Sequence, residues 1–211
     1  MLKIEKPHAA FNRLLNELLP HAEKVAPRQP SGVTEGLQIK NDPEFFKLFL
    51  LDKGSANLCR LEDGLIISTV FSPYVIGLSF YPGAGVYYSI ELGAYSSLYQ
   101  ISRTRAQYLI HKLDLQKEYI SAVSYKMSLL YLRDGRVLKY KSEDIVKNML
   151  IHLMELPEDF RKNTSVLKFI EQRTTLSRSS IQRILLNLKD ENRVDIINSR
   201  LVDIRNLFRS E

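Results

Sequence analysis

The chain has 211 residues, room for one large domain or two small ones with a genuine core. Hydrophobic residues make up 45% and charged residues 26%, which excludes wholesale disorder and collagen-like sequence. A single cysteine, Cys59, excludes an intramolecular disulfide, a cysteine-type zinc finger and an iron–sulfur cluster held by one chain.

The opening segment MLKIEKPHAAFNRLL lacks the apolar stretch and small-residue cleavage site of a secretory signal. No run approaches ~18 apolar residues, so no bilayer span and no membrane partner are expected, and a reduced, cytoplasmic compartment is the simplest reading. Net charge is +6, and its placement matters more than its size. From Arg161 to Glu211 eleven basic residues face six acidic ones, so nearly the whole excess lies in the last quarter. A basic segment on a near-neutral body is the pattern of a polyanion-binding domain, or of a merely solvated tail.

In chain order, Pro7 to Ala26 reads as an amphipathic helix, with Phe11, Leu14, Leu15 and Leu18 at i, i+3, i+4, i+7 spacing and Pro27 and Pro30 closing it. Gln38 to Ser102 is a β-rich body with turns at Lys53-Gly54-Ser55 and Glu62-Asp63-Gly64. Between Asp63 and Arg103 the only charge is Glu91. All eleven tyrosines fall between Tyr74 and Tyr140, and they read as core and sheet surface or as the lining of an apolar pocket. Thr104 to Leu113 returns to helix. From Asp114 a longer helix carries Ile120, Val123, Met127 and Leu130 at 3-4-3 spacing, a seam suited to pairing with a second copy. Asp134-Gly135 fits either a hairpin turn or a glycine-bearing helix, with helix or a helical break preferred. Ser142 then reads as an N-cap before a helix with Ile145, Met149, Leu150 and Leu153 inside, ended by Pro157.

The informative stretch is Ser177 to Ile204. Ser177 can cap a helix whose Ile181, Ile184, Leu185 and Leu188 form one apolar stripe. Near its start Arg178, Ser179, Gln182 and Arg183 remain on the outer side. One face anchors and the other presents donors at the N-terminal end, which is what a major-groove helix needs. Arginine matches guanine O6/N7 and glutamine matches adenine. A shorter helix bearing Val166, Phe169 and Ile170 precedes it, with Thr174-Thr175-Leu176 as the turn. Two short strands, Arg193 to Ile197 and Arg200 to Ile204, follow about Asn198-Ser199. Helix, turn, helix and hairpin together read as a winged helix-turn-helix. Candidate DNA-contacting residues are Ser177, Arg178, Ser179, Ser180, Gln182, Arg183, Lys189, Ser199 and Arg200.

The string SRSSIQRILLNLKDEN resembles the DNA-binding domain of the cyclic-AMP receptor protein (CRP/FNR) family. The matching positions are Ser177, Arg178, Arg183, Ile184, Leu185, Leu188, Asp190 and Glu191, within a match over about residues 142 to 204. The resemblance implies an α+β chain: an N-terminal β-roll, cyclic-nucleotide-binding-domain-like, then a long dimerisation helix and a C-terminal winged helix-turn-helix. It implies a homodimer on double-stranded DNA with recognition helices about 34 Å apart, and RNA polymerase as a further partner. The segments are residues 1–113, 114–141 and 142–211. The sequence also departs from the family. Cyclic-nucleotide binders use a Gly-Glu pair and an Arg-Ser or Arg-Thr pair, whereas this chain reads Val75-Ile76-Gly77-Leu78 and has no arginine from Gly64 to Ser102. A buried cyclic phosphate without a cation is heavily disfavoured, so cyclic AMP is not the expected effector. In the recognition element, Thr175 replaces the usual turn glycine and Leu186 a usual basic residue. Within the family, the uncharged tyrosine-rich roll is similar to the enterobacterial IprA/YaiV-type regulators linked to hydrogen peroxide resistance.

Other residues carry weaker signals. Cys59, with Arg60 as its one basic neighbour, reads as an inert small hydrophobe, the alternative being a redox sensor. His8, His21, His111 and His152 lack metal-site spacing, and Gly83-Ala84-Gly85 reads as a tight turn. Asn163-Thr164-Ser165 matches a glycosylation sequon with no meaning in the cytosol. No enzyme activity, cofactor or metal is expected. The expected function is sequence-specific DNA binding by a transcriptional regulator. The alternative is a ligand-sensing or protein-interaction module whose winged helix does not bind DNA.

Overall fold

A computed structural model of the chain describes residues 4–25, 47–78, 88–137 and 141–207. Helix α1 (His8–Leu18) buries Phe11, Leu14, Leu15 and Leu18 on one stripe, as the spacing predicts. It ends well before Ala26. Pro20 lacks an amide hydrogen and its ring would meet the Asn16 carbonyl, so the chain tightens into a 3-10 turn, Leu19–His21, and then extends into strand β1 (Glu23–Lys24). Pro27 and Pro30 lie outside the described residues, as do Gly83-Ala84-Gly85.

Six further strands build the β-rich body: β2 (Lys47–Lys53), β3 (Ser55–Arg60), β4 (Ile66–Phe71), β5 (Tyr74–Ile76), β6 (Tyr88–Leu92) and β7 (Ser97–Ser102). They pair antiparallel in two sheets, ordered β1-β7-β2-β5 and β4-β3-β6. Both expected turns are present, with Gly54 at φ +76° and Gly64 at φ +72°. At Gly54 even a methyl would sit 2.3 Å from the Ser96 hydroxyl, so only glycine fits there.

In β2 four successive residues, Leu48 to Leu51, are buried, because the strand is covered on both faces. One side faces the core shared with Leu58 and Ile90 of the other sheet. Helix α1 packs on β5, and α2 (Arg103–Lys112) packs on β7 and β2. The Ser102 hydroxyl caps α2, accepting from the Arg105 amide at 3.3 Å. Tyr74 and Tyr88 are core residues, and Tyr74 stacks on Phe11 with ring centroids 4.7 Å apart. Tyr95 instead stands exposed at a turn, so composition alone assigned no common role to the tyrosines.

Helix α3 (Gln116–Val137) runs through Asp134-Gly135, in agreement with the helical reading of that dipeptide. Leu115 just before it and Ala122 within it are buried in the body's core, and the Tyr119 hydroxyl donates to the Leu78 carbonyl at 3.0 Å. The chain divides into two compact units, Met1–Leu130 and Tyr131–Glu211.

The second unit contains α4 (Ser142–Glu155), α5 (Glu158–Lys162), α6 (Val166–Glu171), α7 (Arg178–Asp190), β8 (Val194–Ile197) and β9 (Arg200–Ile204). Val146, Leu150, Leu153, Phe169, Ile181 and Leu201 are among the residues of its core. Two details of α4 correct the sequence reading. Ser142 is the first helical residue, not the cap; Lys141 holds the cap position and offers no side-chain hydrogen bond. Ile145 is only partly buried and Val146 takes its place, since 146, 149, 150 and 153 form the stripe that α6 and α7 cover. Among the described residues, no helix is long and apolar enough to cross a membrane.

Candidate nucleic-acid interface

The site begins with a short helix. In α6, Val166, Phe169 and Ile170 face inward, and its end is fastened by two side chains of the turn. Arg173 is buried, stacks on the Phe169 ring with its guanidinium 3.8 Å from the centroid, and donates to the Phe169 carbonyl at 3.2 Å. The Thr174 hydroxyl donates to the Ile170 carbonyl at 3.0 Å. A turn built this way does not need the glycine that Thr175 replaces.

Helix α7 starts where the sequence places it. The Ser177 Oγ accepts from the Ser180 amide at 3.2 Å, so the cap is real. Ile181, Ile184 and Leu188 are buried, while Leu185 is half-buried. Arg178, Ser179, Gln182 and Arg183 are exposed. Ser180 is different: it is half-buried and its hydroxyl lies 2.9 Å from that of Ser177, so its polar atoms serve the cap. Lys189 is exposed but sits eleven residues beyond Arg178, roughly 16 Å along the axis, away from the cluster at the helix start. Leu186 is 60% exposed among these polar side chains.

The hairpin is also present, with Val194 opposite Ile204 and Ile197 opposite Arg200. Asn198 (φ 48°) and Ser199 (φ 63°) both take the left-handed conformation of a two-residue type I′ turn. The Ser199 carbonyl accepts from the Val166 amide at 3.0 Å, which ties the turn to the start of α6. Ser199 is exposed and Arg200 partly so.

The cations of this unit are not equally available. Arg193 is committed to its own chain, donating to the Asn206 carbonyl at 3.1 Å and to Glu191 at 3.0 Å. Lys162 pairs with Glu158 at 2.6 Å and Arg205 with Asp203 at 3.3 Å. Lys168, Arg183, Lys189 and Arg200 make no hydrogen bond or ion pair with the described residues. Arg178 has a partner that the sequence reading missed: its Nη1 lies 3.7 Å from Oε2 of Glu171, at the end of α6. Only the packing of α6 on α7 brings these two residues together.

Three of the four residues of the expected dimer seam are exposed. Ile120 is 61% exposed, and Met127 and Leu130 are each 37% exposed. Val123 departs from this row, being partly buried against the core of the body. Cys59 is buried in β3, and among the described residues no three of His, Cys, Asp and Glu gather as a metal site would.

Comparison with known proteins bears on these observations. Residues 142–208 match a family model described as winged helix-turn-helix DNA binding. Among solved structures, the c-di-GMP responsive global regulator CLP of Xanthomonas campestris superposes with a TM-score of 0.68 at 16% identity, over 92% of this chain and 99% of that one. FixK2 of Bradyrhizobium japonicum gives 0.64 at 14% identity, over 88% and 93%. The chain has the fold of the CRP/FNR regulators. Two curated relatives align along nearly the whole length, each covering 98% of both chains: proteins named inhibitor of hydrogen peroxide resistance from Salmonella typhimurium, 25% identical, and from Escherichia coli K12, 23% identical. Within the CRP/FNR architecture the two-sheet body corresponds to the expected β-roll and the second unit to the winged helix-turn-helix.

Proposed function

We propose that this protein is a homodimeric, sequence-specific DNA-binding transcriptional regulator that takes no cyclic nucleotide and modulates resistance to hydrogen peroxide. One observation carries the DNA reading. The capped start of α7 turns Arg178, Ser179, Gln182 and Arg183 outward while Ile181, Ile184 and Leu188 anchor the helix, inside the segment that matches winged helix-turn-helix domains. On this reading Ser177 and Ser180 hold the helix start, Arg178 and Arg183 read bases, and Ser179 and Gln182 add polar contacts. Lys189, Ser199 and Arg200 touch the backbone.

The dimer is supported by the open apolar row Ile120, Met127 and Leu130 on a 22-residue helix, which a second copy would cover. The corresponding segments are 1–113 for the sensor-like roll, 114–141 for dimerisation and hinge, and 142–211 for DNA. Absence of a cyclic nucleotide rests on Leu78, buried at the position where such binders hold a glutamate, and on the lack of any arginine from Gly64 to Ser102. The peroxide connection rests on the relatives' name. RNA polymerase is the further partner this reading admits.

Gel-shift titration of the full chain against genomic fragments, repeated over a range of salt, tests the reading. Specific fragments should shift, and affinity should fall steeply with salt as phosphate counterions are released. Binding to none of the fragments would favour a ligand-sensing or protein-interaction module instead. Chromatin immunoprecipitation with and without peroxide then tests the signal.

A further inference from the structure

We propose that Glu171 is a positioning residue for DNA readout: it aims Arg178 along the groove and keeps that guanidinium from clamping a phosphate. The inference rests on the reading of α7 as the groove-entering helix. Its basis is the 3.7 Å approach of Arg178 Nη1 to Glu171 Oε2, between side chains that are 63% and 39% exposed. The pair is therefore reachable by DNA.

The segment joining the two residues is held firmly. Arg173 is buried against Phe169, the Thr174 hydroxyl bonds the Ile170 carbonyl, and the Leu176 amide donates to the Thr174 hydroxyl at 3.4 Å. Glu171 thus approaches α7 from a fixed point. Each member also sits at the unfavourable end of its own helix: the carboxylate closes α6, and the guanidinium opens α7. Neither charge is stabilised by its own helix, and each supplies the counter-charge the other lacks.

In water such an exposed pair adds little to stability. Against DNA it acts differently. An untethered arginine at a helix start can swing to the nearest phosphate, a contact that carries no sequence information. A carboxylate on one side biases where the planar fork rests, and bidentate pairing with guanine depends on orientation. The carboxylate also repels phosphates directly. Glu171 therefore lowers total affinity and raises discrimination. Arg183 has no such partner among the described residues, so the effect is confined to the base pair that Arg178 reads.

The test uses the full-length chain as wild type, R178A, R183A, E171A and E171Q. Each is selected against a randomised duplex pool, then titrated with the wild-type site, its single-base variants and a random-sequence duplex across salt. E171A should weaken preference about fivefold at the base pair that R178A also relaxes, and leave the pair relaxed by R183A untouched. It should bind the random-sequence duplex more tightly, with a salt slope steeper by about one counterion. E171Q keeps an acceptor without the charge; it should retain more preference than E171A while sharing the gain in non-specific affinity. Wild-type preferences and slope in E171A would overturn the inference, as would R178A leaving every preference intact. A wild type that enriches no sequence removes the groove reading itself, whereas a discriminating wild type matched by E171A removes only the role of Glu171.

Discussion

The Ser177 hydroxyl accepts the Ser180 amide hydrogen at 3.2 Å, and this one bond sets where the outward-facing row of α7 begins. Ser177→Ala leaves an unsatisfied amide at the helix start and should cost about 1 kcal/mol of stability in the second unit. Chemical denaturation followed by circular dichroism checks this. DNA affinity should fall as well, because Arg178 and Ser179 lie in the turn that frays. Equal stability of variant and wild type would show that the cap adds nothing.

Arg183 has no partner in its own chain among the described residues, so its removal costs the free protein almost nothing. Arg183→Ala should therefore leave the denaturation midpoint unchanged while losing about 1–3 kcal/mol of discrimination at one base pair of each half-site. Fluorescence anisotropy with single-base operator variants measures the loss. Unchanged affinity for every variant would contradict base readout by this residue.

The Lys126 ammonium lies 5.4 Å from the centroid of the Tyr88 ring, and burial pushes its pKa from 10.5 down to about 8. Below about pH 8 the folded chain bears the full cost of a buried charge. From about pH 8 up to 10.0 the unfolded chain keeps a proton that the folded chain has lost, so stability rises with pH. Above 10.0 the trend turns, because burial holds Tyr74 and Tyr88 neutral in the folded chain while their unfolded counterparts ionise. Denaturation midpoints across this range should show the rise in wild type and a smaller one in Lys126→Met. Identical profiles would rule out Lys126 as the source.

Ile120 and Leu130 face outward from α3. Charged replacements at both positions, Ile120→Glu and Leu130→Glu, should convert a dimer into a monomer by analytical ultracentrifugation and leave the circular dichroism spectrum intact. DNA affinity should drop sharply, since one half-site then binds alone. A dimer that survives both changes would place the subunit contact elsewhere.

Much of the second unit was legible in the sequence because its signals are local. A serine cap, an apolar stripe at helical spacing and a two-residue turn each act within a dozen residues, and Ser177, Ile181, Ile184, Leu188 and Asn198-Ser199 all behave accordingly. The same holds for the stripe of α1 and for the glycine turns of the β-rich body. Where competing local signals met, packing decided. Pro20 ended α1 before Pro27 could, and the rotation of α4 against its neighbours selected Val146 over Ile145.

What the sequence determined by itself is therefore the order and kind of elements, together with a basic helix that has one apolar side. The tertiary structure decided which charges are available. Eleven cations counted along the last quarter cannot reveal that Arg193 is held by its own backbone, that Arg173 is buried on Phe169, or that Arg178 meets Glu171 across two helices. Those pairings depend on how elements cross in space, and electrostatic energy follows distance through space rather than separation along the chain.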